Sequence, residues 1–256
     1  DVAGLGLLRR RVAIALSVIA CAALLAGCVE PTPERDEPLP SMGWMVDVPG
    51  TCNASVEEVR EHAEQLVQTG LRDAGFQTVL VLCSGRERAK YRTREEIDFL
   101  SGLGLRLGFL DSGRGAFHAA MPRSQPLRTV VTRRVMEAEP LIASAPPATL
   151  SPENLEVLTN RDVMELLRDP RAAPGAPVLG NASVYSRAIG ERGLLVSLTN
   201  GRGAPMDMSV GVADLGLSGD DVVPARDVWT GERITASDGA LTIHVDTGDT
   251  ALLRIG

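Results

Sequence analysis

The chain has 256 residues, 44% of them hydrophobic, and a formal charge of −7. Residues 1–27 carry three arginines and one aspartate, which leaves −9 on the rest of the chain. That balance argues against nucleic acid or an anionic surface as the partner, and the length allows two modest domains.

Leu8-Arg9-Arg10-Arg11 is a basic start, and Val12 to Leu25 follows without a charge. Those fourteen residues, at about 1.5 Å each, are short for a hydrocarbon core of about 30 Å. Residues 1–27 therefore read as a secretory signal. The signal closes on Leu25-Ala26-Gly27-Cys28, which resembles the bacterial lipoprotein box, with Cys28 as the lipidated residue. The expected location is the outer face of a bacterial cytoplasmic membrane, reached through the lipid anchor. Residues 28–40 hold four prolines and four acids after the cysteine, too polar to pack a core, and read as an extended tether. Export places Cys52 and Cys83 in an oxidising compartment, where they make one possible bridge.

Residues 41–175 alternate helix and strand. Val59, Ala63, Leu66 and Val67 recur at helical spacing between Ser55, a candidate N-cap, and Gly70, a candidate stop. Thr78-Val79-Leu80-Val81-Leu82 reads as a strand buried on both faces. A helix over 94–103, a second buried strand over 105–110 and a loop over 111–125 follow. A helix over 128–138, a short strand at 140–143, and helices over 151–158 and 161–167 complete this part. Helix and strand repeated in turn predict a parallel sheet with right-handed crossovers. Over 176–256 the period becomes two, as in Met206, Met208, Val210, Val212 and in Leu241, Ile243, Val245. Turn signals at Asn200-Gly201, Thr230-Gly231 and Asp238-Gly239 separate the runs, which predicts an antiparallel β-sandwich.

These pieces resemble glycoside hydrolase family 27, the α-galactosidase or melibiase family, a TIM barrel followed by a small β-sandwich. Ser41-Met42-Gly43-Trp44 is similar to the family's first strand, and Cys52 through Leu82 to its first helix and second strand. Gly104-Leu105-Arg106-Leu107-Gly108 resembles the third strand, and Pro140-Leu141-Ile142 the eighth. Leu158 to Val163 with Arg168-Asp169-Pro170 resembles the segment that closes the barrel, and Asp227-Val228-Trp229-Thr230-Gly231 a sandwich motif. The resemblance implies a half barrel, an open parallel sheet in the order eight, one, two, three. Val79, Val81, Leu107 and Phe109 are then expected on the former barrel interior. It also implies a Cys52–Cys83 disulfide, and no cofactor.

The departures from the family pattern fall on its site. The paired aspartates that hold the sugar correspond to Leu82 and Cys83, the covering aromatic to Asp47, and the tyrosine of the third strand to Leu110. Neither the nucleophile nor the acid/base aspartate has a position, because some fifteen residues stand where four strand–helix units would lie. Retaining hydrolysis needs two carboxyl groups about 5 Å apart, so the expected activity is none. Trp44, Asp47 and Asp111 are the candidate remnants of a sugar site. Two readings follow: an envelope pseudoenzyme that binds carbohydrate or protein, or a working hydrolase with carboxylates from another chain or from Asp47, Asp111 and Asp169. A homodimer of half barrels is compatible with either.

Other chemistry finds little support. His62, His118 and His244 share no metal-ligand spacing with one another or with the cysteines. Gly102-x-Gly104-x-x-x-Gly108 lacks the dinucleotide spacing, Asp220-Asp221 reads as a solvated turn, and Ser84 has no histidine close in sequence.

Overall fold

A computed structural model describes residues 40–46, 50–110, 125–191, 193–217 and 224–256, which belong to one compact unit, Leu39–Gly256. Cys28, Asp47, Asp111, His118 and Asp220-Asp221 lie outside the described residues. Among the described residues no helix is long and apolar enough to cross a membrane.

Strands β1 (Met42–Val46), β2 (Thr78–Leu82), β3 (Arg106–Leu110) and β4 (Leu141–Ala143) form a sheet in the order β3-β2-β1-β4, with every pair parallel. This is the open order that the sequence implies. Helix α1 (Val56–Gln68) connects the first two strands. It starts in a capping box: the Glu58 N–H donates to Ser55 Oγ at 3.0 Å, and the Ser55 N–H to Glu58 Oε2 at 2.7 Å. Gly70, at φ 77°, ends it and starts the single turn α2 (Leu71–Ala74). A 3₁₀ segment, Gly85–Tyr91, and helix α3 (Arg94–Gly102) lead to β3. Helices α4 (Leu127–Glu137), α5 (Pro152–Thr159) and α6 (Arg161–Leu167) flank β4 in sequence.

The register corrects one expectation. Trp44 pairs with Val79, Val79 with Leu107 and Val81 with Phe109, and parallel partners project to the same side. These residues face the helices, in one core cluster with Val59, Ala63, Leu66 and Leu100. Val79, Val81, Leu107 and Phe109 are thus on the outer face, not the barrel interior. A strand with four apolar residues in succession, Val79 to Leu82, hides its parity, so the side on which α1 and α3 pack reveals it.

The inner face carries Gly43, Met45, Leu80, Leu82, Gly108, Leu110 and Ile142. Leu80, Leu110 and Ile142 form a small buried cluster. Leu80 lies between two glycines, since a Cβ on Gly43 would stand 2.6 Å from its Cδ1 and one on Gly108 2.7 Å from its Cδ2.

The sandwich has strands β5 (Ala176–Val178), β6 (Asn181–Ile189), β7 (Gly193–Thr199), β8 (Met206–Gly211), β9 (Pro224–Asp227), β10 (Arg233–Thr235), β11 (Ala240–Val245) and β12 (Thr250–Ile255). They make a six-stranded sheet, β10-β9-β12-β7-β6-β5, and a two-stranded one, β11-β8. The two alternating runs of the sequence are the pair β8 and β11. One face of the larger sheet, with Tyr185, Ile189, Leu195 and Leu252, joins the core that extends through the helices to the parallel sheet. The other, with Val184, Val196, Leu198 and Leu253, packs on Val210 and Leu241.

The expected disulfide is present: Cys52 and Cys83 are bonded, with Cα atoms 4.4 Å apart and a sequence separation of 31. Cys52 sits at φ 61°, a region that disfavours side chains, and its N–H donates to the Leu82 carbonyl at 2.7 Å.

Two stability predictions follow from these contacts. Gly108→Ala should cost about 1–3 kcal/mol and Leu80→Ala about 2–5 kcal/mol in denaturant unfolding. Because the new methyl group occupies the space that Leu80 vacates, the double variant should cost clearly less than the sum; additive costs would refute the wedge. Replacing both cysteines by alanine should lose roughly 3–4 kcal/mol in the chain-entropy model, and reductant should destabilise the parent but not this variant.

Candidate active site

In a parallel α/β sheet, reacting groups gather at the carboxyl ends of the strands. The described residues at those ends are Val46, Leu82 and Cys83, Ser84, Leu110, and Ala143 with Ser144. None is a carboxylate. Cys83 is fully buried, its sulfur is bonded to Cys52, and its N–H donates to the Leu110 carbonyl at 3.0 Å.

Cations surround this edge instead. The Arg88 Nε donates to the Cys83 carbonyl at 2.8 Å, and the Arg88 and Arg92 guanidinium groups lie 5.1 and 4.9 Å from the Phe109 ring centre. The Lys90 ammonium donates to the Cys52 carbonyl at 2.6 Å and lies 4.7 Å from the Tyr91 ring. Both contacts hold the 3₁₀ segment against the disulfide loop, and the Tyr91 hydroxyl adds a bond to the Ala54 carbonyl at 2.6 Å. Glu87 approaches the Cys52 and Cys83 sulfurs within 4.8 Å. Sulfurs already joined to each other offer no thiolate to a metal, so this trio is not a metal centre.

The candidate remnants of a sugar site are not assembled among the described residues. Trp44 is completely buried on the helix face; its indole N–H donates to the Ala145 carbonyl at 2.8 Å and its ring meets Phe76 edge-on at 5.4 Å. That ring is core, not a platform for a ligand. Asp47 and Asp111 lie outside the described residues. Asp169 is occupied elsewhere, with Oδ1 accepting from the Arg171 N–H at 2.9 Å and Oδ2 3.9 Å from Arg187 Nη2. His62 Nδ1 is 2.9 Å from the carbonyl of Glu58 on its own helix, and His244 pairs with exposed Asp207 at 2.8 Å.

The sandwich motif proves to be a structural clasp, which spacing alone does not reveal. Asp227 Oδ1 accepts from the Trp229 N–H at 3.2 Å, and Oδ2 from the Thr230 hydroxyl at 2.8 Å. This turn aims the Trp229 indole N–H at the Thr132 hydroxyl of α4, 2.9 Å away, while the Arg128 guanidinium lies 5.6 Å from its ring.

Comparison with known proteins agrees with this architecture. Residues 180–255 match the family described as alpha galactosidase C-terminal beta sandwich domain. Over 118 residues, 45% of this chain, the sequence is 35% identical to the probable alpha-galactosidase A of Aspergillus flavus, and equally to that of Aspergillus oryzae. The chain spans only 22% of the length of those two relatives. Among solved structures, alpha-galactosidase I from Mortierella vinacea superposes with a TM-score of 0.68 over 84% of this chain and 96% of that one, at 12% identity. The Saccharomyces cerevisiae alpha-galactosidase with raffinose gives 0.64, over 85% and 97%, also at 12% identity. Residues 180–255 therefore match an α-galactosidase C-terminal β-sandwich, and the chain that carries them is similar to α-galactosidases in sequence over 118 residues and in fold.

Proposed function

We propose that this protein is a non-catalytic relative of the α-galactosidases, held at the bacterial cell envelope, that binds carbohydrate or a protein through its half barrel or sandwich. The observation that carries the reading is the end of β2. Where the family resemblance calls for the two aspartates that hold the sugar, Leu82 is apolar and Cys83 is sealed in a disulfide. A thiol spent in that bond neither grips a hydroxyl nor moves a proton. The neighbouring cations Arg88, Lys90 and Arg92 are tied to carbonyls and rings, and a cationic rim does not supply a nucleophile and a proton donor. Similar architecture alone does not carry the relatives' activity.

One specific observation favours the alternative of a working hydrolase: the 35% identity to proteins described as probable alpha-galactosidases. Its carboxylates would come from Asp47, Asp111 or a second copy pairing along the open edges of β3 and β4. An assay on an aryl α-galactoside, with protein prepared from a host lacking the endogenous enzyme, separates the two. We expect no turnover above buffer, together with retention on a glycan array. Turnover that falls when Asp47 and Asp111 are changed to Asn would reverse the conclusion. For the anchor, mass spectrometry of protein from bacterial membranes should find a diacylated Cys28 as the first residue; an unmodified Cys28 excludes it.

A further inference from the structure

Strand β6 turns Tyr185, Arg187 and Ile189 toward the helix layer. Tyr185 and Ile189 join the apolar core there; Arg187 brings a charge into it. Arg187 is 2% exposed. Its Nη1 donates to the Val135 carbonyl near the end of α4. Its Nε and Nη2, both closed to solvent, have no hydrogen-bond partner. The nearest opposite charge is Asp169, whose Oδ2 is 3.9 Å from Nη2, beyond hydrogen-bond distance, while its other oxygen is occupied by the Arg171 N–H. Burial draws the guanidinium pKa down, and Asp169 counters only part of that. A buried cation with two idle donors is costly to maintain.

The group borders a cavity of about 260 Å³ whose wall also includes Ser41, Arg134, Glu139 and Asp169. Glu139 pairs with Arg134, so its charge is already engaged. A second cavity, of about 390 Å³, shares Leu166 and Asp169 with the first, which makes Asp169 part of the wall common to both.

Nε and Nη2 lie on one edge of a guanidinium and form the fork that receives two oxygens of a carboxylate or phosphate through parallel hydrogen bonds. We propose that the cavity between the helix layer and the sandwich binds a small oxyanion group, carboxylate or phosphate, on the Nε–Nη2 edge of Arg187. The ligand supplies the two acceptors that the fold leaves out. Asp169 then serves as a gate: its carboxylate stands 3.9 Å from Nη2, where its like charge opposes the anion, and it moves off the fork, which is closed to solvent, when the anion enters.

The test uses the full chain, titrated with sodium phosphate and separately with sodium acetate, at ionic strength held constant with chloride. Calorimetric binding and the thermal midpoint are the readouts. Phosphate, acetate or both should bind saturably and raise the midpoint, and which of them does so distinguishes a phosphate from a carboxylate ligand. Arg187→Gln should abolish the response. Asp169→Asn should tighten binding several-fold, and it carries the test if the Arg187 variant does not fold. No response to either anion beyond chloride, or one that survives in Arg187→Gln, overturns the proposal. So does weaker binding in Asp169→Asn, because it would mean that Asp169 supports the anion instead of opposing it.

Discussion

A parallel sheet that does not close on itself must be covered on two faces, and most features of this chain follow from that requirement. The outer face is covered conventionally, by α1 and α3 over Trp44, Val79 and Val81. The inner face has no opposite wall of strands among the described residues. It is thin there: Gly43 and Gly108 carry no side chain, and Leu80 lies across both. A single leucine filling the space above two glycines buries the centre of the sheet with little bulk, which a closed barrel interior filled by layers of branched side chains would not need. The arrangement also makes the three positions interdependent.

The sandwich belongs to the same solution. Its larger sheet packs on α4, so that β6, β7 and β12 extend the core that begins at β1. Polar bonds fix the register of that contact: the Trp229 indole to Thr132, the Thr129 hydroxyl to the Gly248 carbonyl at 2.8 Å, and Arg128 to Asp249 at 3.0 Å. Arg226 and Asp162, 3.1 Å apart, add a tie at the rim, where exposure to solvent leaves such a pair with little energy of its own. Helix α4 therefore packs on the larger sheet of the sandwich and shares one core cluster with the parallel sheet.

Structure and chemistry diverge at the strand ends. Among the described residues, groups there have structural tasks: Cys83 is crosslinked, Arg88 caps a carbonyl and covers Phe109, and Lys90 closes the disulfide loop. Among the described residues the under-satisfied polar atoms lie instead on Arg187, on the seam between helices and sandwich.

The order of elements was legible in the sequence because it depends on local patterns. Ser55, Gly70 and the helical spacing between them delimit α1, and the period-two runs delimit β8 and β11. The strand order and the disulfide were legible through likeness to a known family, since neighbouring strands of a barrel stay neighbours when part of it is lost. Three things were not legible. The parity of β2 was hidden because Val79 to Leu82 are apolar without a break, and the 3₁₀ segment at Gly85–Tyr91 because its alternating charges follow no helical period. The third, the isolation of Arg187, depends on Val135 and Asp169, 52 and 18 positions away along the chain. The sequence by itself determined which segments become helix and strand, because backbone propensity and caps act within a few residues. Only the tertiary structure decided which face of each strand is covered and which buried charge keeps unpaired donors, because both depend on atoms that distant parts of the chain bring together.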